Sequence, residues 1–144
     1  MRMRPSNVFY SQDSISRTFV NGGTIGDMLD DICEGRKGIY IFTITVVNRN
    51  GKWVTTDNRR LWVFRQLERL GKCSYIDVDV GYTIPEEKMT SSNGGVSVHV
   101  RGGPGGYWHE KSSSSNTCIK WTIVVLLCLF FLALFGLYTN AKRR

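Results

Sequence analysis

Residues 38–80 read GIYIFTITVVNRNGKWVTTDNRRLWVFRQLERLGKCSYIDVDV, and their punctuation decides the fold. Gly38 to Val47 is a run of β-branched and aromatic residues (Ile39, Tyr40, Ile41, Phe42, Ile44, Val46, Val47), the composition of a strand covered on both faces. Asn48-Arg49-Asn50-Gly51 follows, and Asn-Gly takes the positive φ angles that a two-residue hairpin turn demands. Lys52 to Thr55 is then the returning strand. Asp57 or Asn58 supplies a cap for a helix over about Arg59 to Leu70, whose inward stripe is Leu61, Phe64 and Leu67, widened by Trp62, Val63 and Leu70. Gly71 ends that helix. Tyr75 to Val80 alternates Ile76, Val78 and Val80 with Asp77 and Asp79, the period of a strand with one face covered.

Upstream, Val8 to Tyr10 reads as a short extended piece. Ser11-Gln12-Asp13-Ser14 offers capping side chains for a helical turn over Ile15 to Phe19, which Asn21-Gly22-Gly23 breaks. Thr24-Ile25-Gly26-Asp27 is a Thr-x-x-acid start signal, and Met28, Leu29 and Ile32 give a helix ending near Gly35. The resulting order of helix, helix, strand, turn, strand, helix, strand predicts a small α/β (α+β) domain over residues 1–85. Residues 86–117 are rich in Gly and Ser and read as a flexible linker, with a brief strand at Val96, Val98 and Val100 as an option within it.

Residues 118–139 predict a transmembrane helix. From Thr122 to Tyr138 the run carries no charge, and about 20 helical residues cross a hydrocarbon core of roughly 30 Å. Trp121 and Tyr138 stand at its two ends, where interfacial aromatics collect. Lys120 flanks one boundary, and Lys142, Arg143 and Arg144 form a basic tail at 140–144 beyond the other. A domain of this size cannot surround a helix that is apolar on every face, so membrane lipid is the expected partner of this segment. Charge placement agrees: residues 1–88 carry 13 Lys/Arg against 11 Asp/Glu, whereas residues 89–144 carry 6 against 1. The basic excess thus flanks the apolar run, where anionic headgroups attract it, and the high isoelectric point is poor evidence for nucleic acid.

A single C-terminal span with no apolar stretch after Met1-Arg2-Met3-Arg4-Pro5 is expected to insert after synthesis and leave the N-terminal domain in the cytosol. The terminal Lys-Arg-Arg pulls toward the opposite orientation under the positive-inside rule. None of the eight Asn residues starts a glycosylation sequon, which favours the cytosolic placement. The four cysteines, Cys33, Cys73, Cys118 and Cys128, have no CxxC spacing and read as free thiols, with Cys118 at the membrane edge a candidate for palmitoylation.

One constellation points to chemistry. Thr55-Thr56-Asp57-Asn58-Arg59-Arg60-Leu61 joins a strand to a helix, and a helix start has unpaired N–H groups and a positive dipole end that suit anions. Arg59 and Arg60 add guanidinium donors matched to phosphate, with Asp57 and Asn58 completing the candidate ligand site. The alternative is a capped helix whose arginines are solvated or paired with Asp57, Asp77 or Asp79. Arg65, Arg69 and Lys72 form a basic edge on the same helix that can meet RNA, DNA or a headgroup, or face solvent. His99 and His109 are ten residues apart without a cysteine beside them, which makes poor zinc ligands. Ser112 to Ser115 lack a His/Asp framework, and the glycines at 22–23 and 94–106 lack the setting of a P-loop.

The order strand, Asn-Gly turn, strand, Asn-Arg-Arg-Leu, helix, Gly, strand over Ile39 to Val80 resembles the ParB/sulfiredoxin-like superfamily, with Tyr10-Ser11-Gln12-Asp13-Ser14-Ile15 in the place of its N-terminal box. The resemblance covers residues 5–82 and implies a phosphate- or nucleotide-binding turn. Arg59 and Arg60 match the paired basic residues of the ParB Gly-Glu-Arg-Arg motif, Asp57 standing for its Gly and Asn58 for its Glu. Asn58 also stands where sulfiredoxins carry their cysteine. Both departures imply binding without turnover, so no cofactor or catalytic residue is assigned. Two other functions remain in view: a structural or protein-interaction component of a membrane or enveloped particle, with a protein partner, and a ParB-like nucleotide-dependent enzyme or nuclease.

Overall fold

The computed structural model describes residues 1–41 and 43–112. The expectations for Phe42, for the linker end at 113–117, for the segment 118–139 with Cys118, Lys120, Trp121 and Tyr138, and for the tail with Lys142, Arg143 and Arg144 lie outside the described residues. The chain divides into two units, Met1–Ser113 and Ser114–Arg144. The first is a mixed α/β fold with two α-helices: β1 (Arg2–Met3), β2 (Val8–Tyr10), β3 (Ser14–Ser16), α1 (Ile25–Cys33), β4 (Ile44–Arg49), β5 (Lys52–Thr55), α2 (Asn58–Arg69), β6 (Ile76–Val80) and β7 (His99–Arg101).

The hairpin at Asn50-Gly51 forms as its sequence dictates, with φ of 51° and 82° at the two residues. It sets β4 antiparallel to β5 with Val47 opposite Val54. Strand β6 then pairs parallel to β4, Ile44 facing Val78. Two edge strands complete a five-stranded sheet of order β1-β6-β4-β5-β2, β1 antiparallel to β6 and β2 parallel to β5. Strands β3 and β7 pair separately in parallel, Ile15 opposite Val100. Alternate residues of a strand point to opposite faces, so Ile44, Val46, Ile76 and Val78 turn toward α1 and α2 and pack with Leu29, Leu61, Phe64 and Leu67. Val47 and Val54 meet Ile84 on the other face in a second, smaller cluster. Helix α1 begins on the capping box read from the sequence: Asp27 N donates to Thr24 Oγ1 and Thr24 N to Asp27 Oδ2, both at 3.0 Å.

Three expectations are corrected. The run from Gly38 is not one strand: Ile39–Ile41 is a 3₁₀ turn, and β4 starts only at Ile44 with Thr45 and Asn48 exposed. Ile15 does not open a helical turn but lies buried in β3, because its partner strand arrives from residues 99–101. The compact unit does not stop at residue 85. Residues 86–112 pack on the domain, with Val98, Val100 and Trp108 against the main core. Backbone bonds fasten this strap: Tyr10 N donates to Gly95 O at 2.9 Å, Gly26 N to Pro104 O at 2.9 Å, and Thr90 N and Ser91 N both to Ser11 O. The buried Asp30 carboxylate accepts from Tyr107 N and Trp108 N, each at 3.0 Å. The glycines are part of the fit. A Cβ on Gly26 or Gly105 would overlap the chain segment facing it. Arg65 clamps the strap from below, donating to Val8 O and Val96 O at 2.6 Å and stacking over Tyr10 at 4.7 Å.

Candidate functional site

The turn from β5 into α2 is held from several sides. Thr55 is fully buried, and its Oγ1 donates to Thr45 O at 2.6 Å while accepting from Asp57 N at 3.0 Å. Asp57 occupies the N-cap position, yet its side chain does not cap the helix. Its Oδ2 accepts from Thr45 N at 2.9 Å, tying the turn to β4. Asn58, the alternative to Asp57 as the cap, does not serve as one either. It is the first helical residue and 2% exposed. Its Oδ1 accepts from Ser11 N at 2.9 Å, and its Nδ2 donates to Ser11 Oγ at 3.0 Å and Gln12 Oε1 at 3.1 Å. A buried amide has to satisfy both of its ends, and the Ser11-Gln12 segment does so here. The start of α2 therefore carries no side-chain cap, in contrast to the boxed start of α1.

The two arginines diverge. Arg59 is half-buried, donates from Nη1 to Thr18 O, and lies 5.9 Å from the Phe19 ring centroid. Arg60 is exposed, with Nη1 at 3.5 Å from Asp57 Oδ1 and 3.3 Å from Thr43 O, a long ion pair at the surface. Asp57 to Arg60 thus stand together as the sequence placed them. Beside them opens a cleft of about 390 Å³ lined by Phe19, Val20, Asn21, Thr56, Asp57 and the Asn58–Arg60 turn. A smaller cleft of about 200 Å³ adjoins it, sharing Thr56, Asn58 and Arg59 and adding Gln12, Ser14, Ser16 and Arg101. Arg101 is the residue that sequence reading missed. It reaches the site because β7 pairs with β3, and its Nη1 donates to Ser14 Oγ at 2.6 Å.

Elsewhere, the carboxylates read as alternative arginine partners stay apart from Arg59: Asp79 accepts from Thr43 Oγ1 at 3.0 Å, and Asp77 faces outward from β6. Arg65 is committed to the strap, which removes it from the basic edge proposed for nucleic acid. Cys33 and Cys73 are free thiols. Burial, with Glu68 adding to it, pushes Cys73 up to about 11, the opposite of an activated nucleophile. Among the described residues, no group of three His, Cys, Asp or Glu is placed to hold a metal ion, and no helix is long and apolar enough to cross a membrane. No protein-family model, no curated protein and no solved structure matches the chain.

Proposed function

We propose that the chain is a single-pass, C-terminally anchored membrane protein whose domain binds a phosphate-bearing ligand, a nucleotide among them, without turning it over. The observation that carries the reading is the 390 Å³ cleft at the uncapped start of α2, with Arg59 and Arg60 in its wall. Unpaired helical N–H groups, the dipole end and two guanidinium groups all favour an anion at that place. The half-apolar rim formed by Phe19 and Val20 suits a ligand with a ring beside its phosphates. The ParB/sulfiredoxin-like resemblance supports the same ligand class, and the replacement of the motif acid by Asn58, an amide buried in a structural network, supports binding over hydrolysis. The uncharged run at 122–138 supports the anchor, with residues 1–113 facing the cytosol.

Backbone resonances of the domain test the ligand. Addition of a nucleoside triphosphate or pyrophosphate shifts the amides of Asp57 to Leu61 and Thr18 to Asn21; unchanged resonances at those positions overturn the assignment. Alkaline carbonate tests the anchor. The full chain stays with the bilayer, and its release into the wash contradicts a spanning segment.

A second reading, a structural or protein-interaction component, is favoured by large apolar side chains that nothing in the domain covers: Tyr82 is 100%, Val20 97% and Tyr40 87% exposed. It predicts that a double Arg59→Ala, Arg60→Ala variant recovers its protein partner as well as the parent does.

A further inference from the structure

A second cationic cluster lies past the C-terminal end of α2, at the opposite end of that helix from the Arg59 turn. Past the end of α2, Lys72 Nζ stands 5.2 Å from the Trp108 ring centroid. Lys111 Nζ stands 3.7 Å from that same ring and 4.7 Å from the ring of Tyr107. Two ammonium groups therefore converge on one indole. Among the described residues, neither has a carboxylate partner. Asp31 and Glu34 are paired with Arg36 and Lys37, and Glu110 meets His109. Trp108 is itself fixed, its backbone N bonded to Asp30 and its Nε1 donating to Glu34 at 3.4 Å. Arg69 braces the exit of the chain, donating to Lys111 O and His109 O at 2.8 Å each. The Asp30 and Glu34 carboxylates bond Trp108, but Lys72 and Lys111 have no ion pair of their own among the described residues, and two cations so placed attract an anion.

We propose that Lys72, Lys111 and the Trp108–Tyr107 pair form a membrane-facing surface that binds the phosphates of anionic lipid headgroups. The inference rests on the anchored reading above. Six residues lie between Ser112 and Ile119, a chain length of at most roughly 25 Å, so in an anchored chain anionic headgroups come within reach of Lys111. Lysine is a point charge suited to a headgroup that moves, and indole and phenol rings suit the interface in which headgroups lie.

The test uses the full chain in lipid nanodiscs and a water-soluble amine-acetylating reagent. Replacing part of the phosphatidylcholine by phosphatidylserine slows acetylation of Lys72 and Lys111 by about fivefold, the factor for one cation beside an anionic surface. Lys52 and Lys88 react at the same rate in both lipids. In a Lys111→Glu variant, which alters an exposed residue and leaves thermal unfolding unchanged, the lipid dependence at Lys72 falls toward zero. Equal rates in the two lipids overturn the inference. Equal slowing by inorganic phosphate in neutral discs also overturns it, since the site would then take free phosphate. If either result comes from chain that resists carbonate extraction, the anchor stands and the headgroup surface alone falls. Chain that washes off in carbonate ends both.

Discussion

Asp30→Asn isolates the attachment of residues 86–112. Asp30 is 5% exposed, and its two oxygens accept from two backbone N–H groups: Tyr107 N at 3.0 Å and 3.3 Å, and Trp108 N at 3.0 Å. The amide keeps the shape, removes the charge and turns one acceptor into a donor. Hydrogen bonds to a charged group contribute about 1.5–3 kcal/mol, and a buried N–H left facing a donor costs about 1–3 kcal/mol. Only one of the two oxygens is lost, so the expected destabilisation is about 2–3 kcal/mol. With a urea slope of about 2 kcal/mol per molar, the unfolding midpoint of residues 1–113, followed by circular dichroism, falls by about 1 M or slightly more. Limited proteolysis of the variant cuts first between residues 88 and 112. A midpoint that does not move, with cleavage of that segment equally fast in parent and variant, would refute the docking of the strap and return residues 86–112 to the status of a tether.

Gly26→Ala places a Cβ against the Gly105 carbonyl and is expected to destabilise the fold by about 2 kcal/mol, seen as a lower melting temperature, whereas Gly71→Ala, with open space around it, acts only through its positive φ. Truncation at residue 88 removes β7, Trp108 and the Gly95 bond to Tyr10, so a calorimetric scan of that fragment loses its cooperative transition. Burial pushes Tyr10 up to about 12 while the nearby Arg65 opposes the shift, so tyrosinate forms in the folded chain only at a pH well above its ordinary range. The folded state then holds a proton that the unfolded chain gives up, and stability falls as pH rises from about 10 to 12, by about 2–3 kcal/mol for this residue, as measured by urea titrations across that range. Cys73 alkylation in native protein rises with pH only toward about 11, and denaturation brings its rate to that of an ordinary thiol.

The parts of the fold that were legible are those whose instructions are local. Asn50-Gly51 specifies its own turn, Thr24 and Asp27 cap each other across three residues, and Leu61, Phe64 and Leu67 recur at helical spacing and are all buried. What was hidden depends on partners far along the chain. Ser14–Ser16 is a strand because His99–Arg101 lies beside it, and nothing within a window around Ile15 shows that. The Gly-rich stretch reads as a linker because glycine is the usual residue of linkers. Here Gly26, Gly105 and Gly106 allow two backbones to approach where a side chain would not fit, so composition suggested freedom where the packing is closest. The candidate site was half legible. Arg59 and Arg60 flank the cleft as their position at a helix start implies, but Asn58 left the capping role for Ser11, 47 residues upstream, and Arg101 enters only through β7.

The central claim is that the turn from Asp57 to Arg60 receives a phosphate-bearing ligand, and calorimetric titration of the full chain in detergent micelles tests it most directly. Pyrophosphate and a nucleoside triphosphate are expected to bind with measurable heat. The double Arg59→Ala, Arg60→Ala variant, still folded by circular dichroism, should bind at least tenfold more weakly, since each charge-assisted contact contributes about 1.5 kcal/mol or more. Absence of heat with either anion, or equal binding by parent and double variant, would contradict the account.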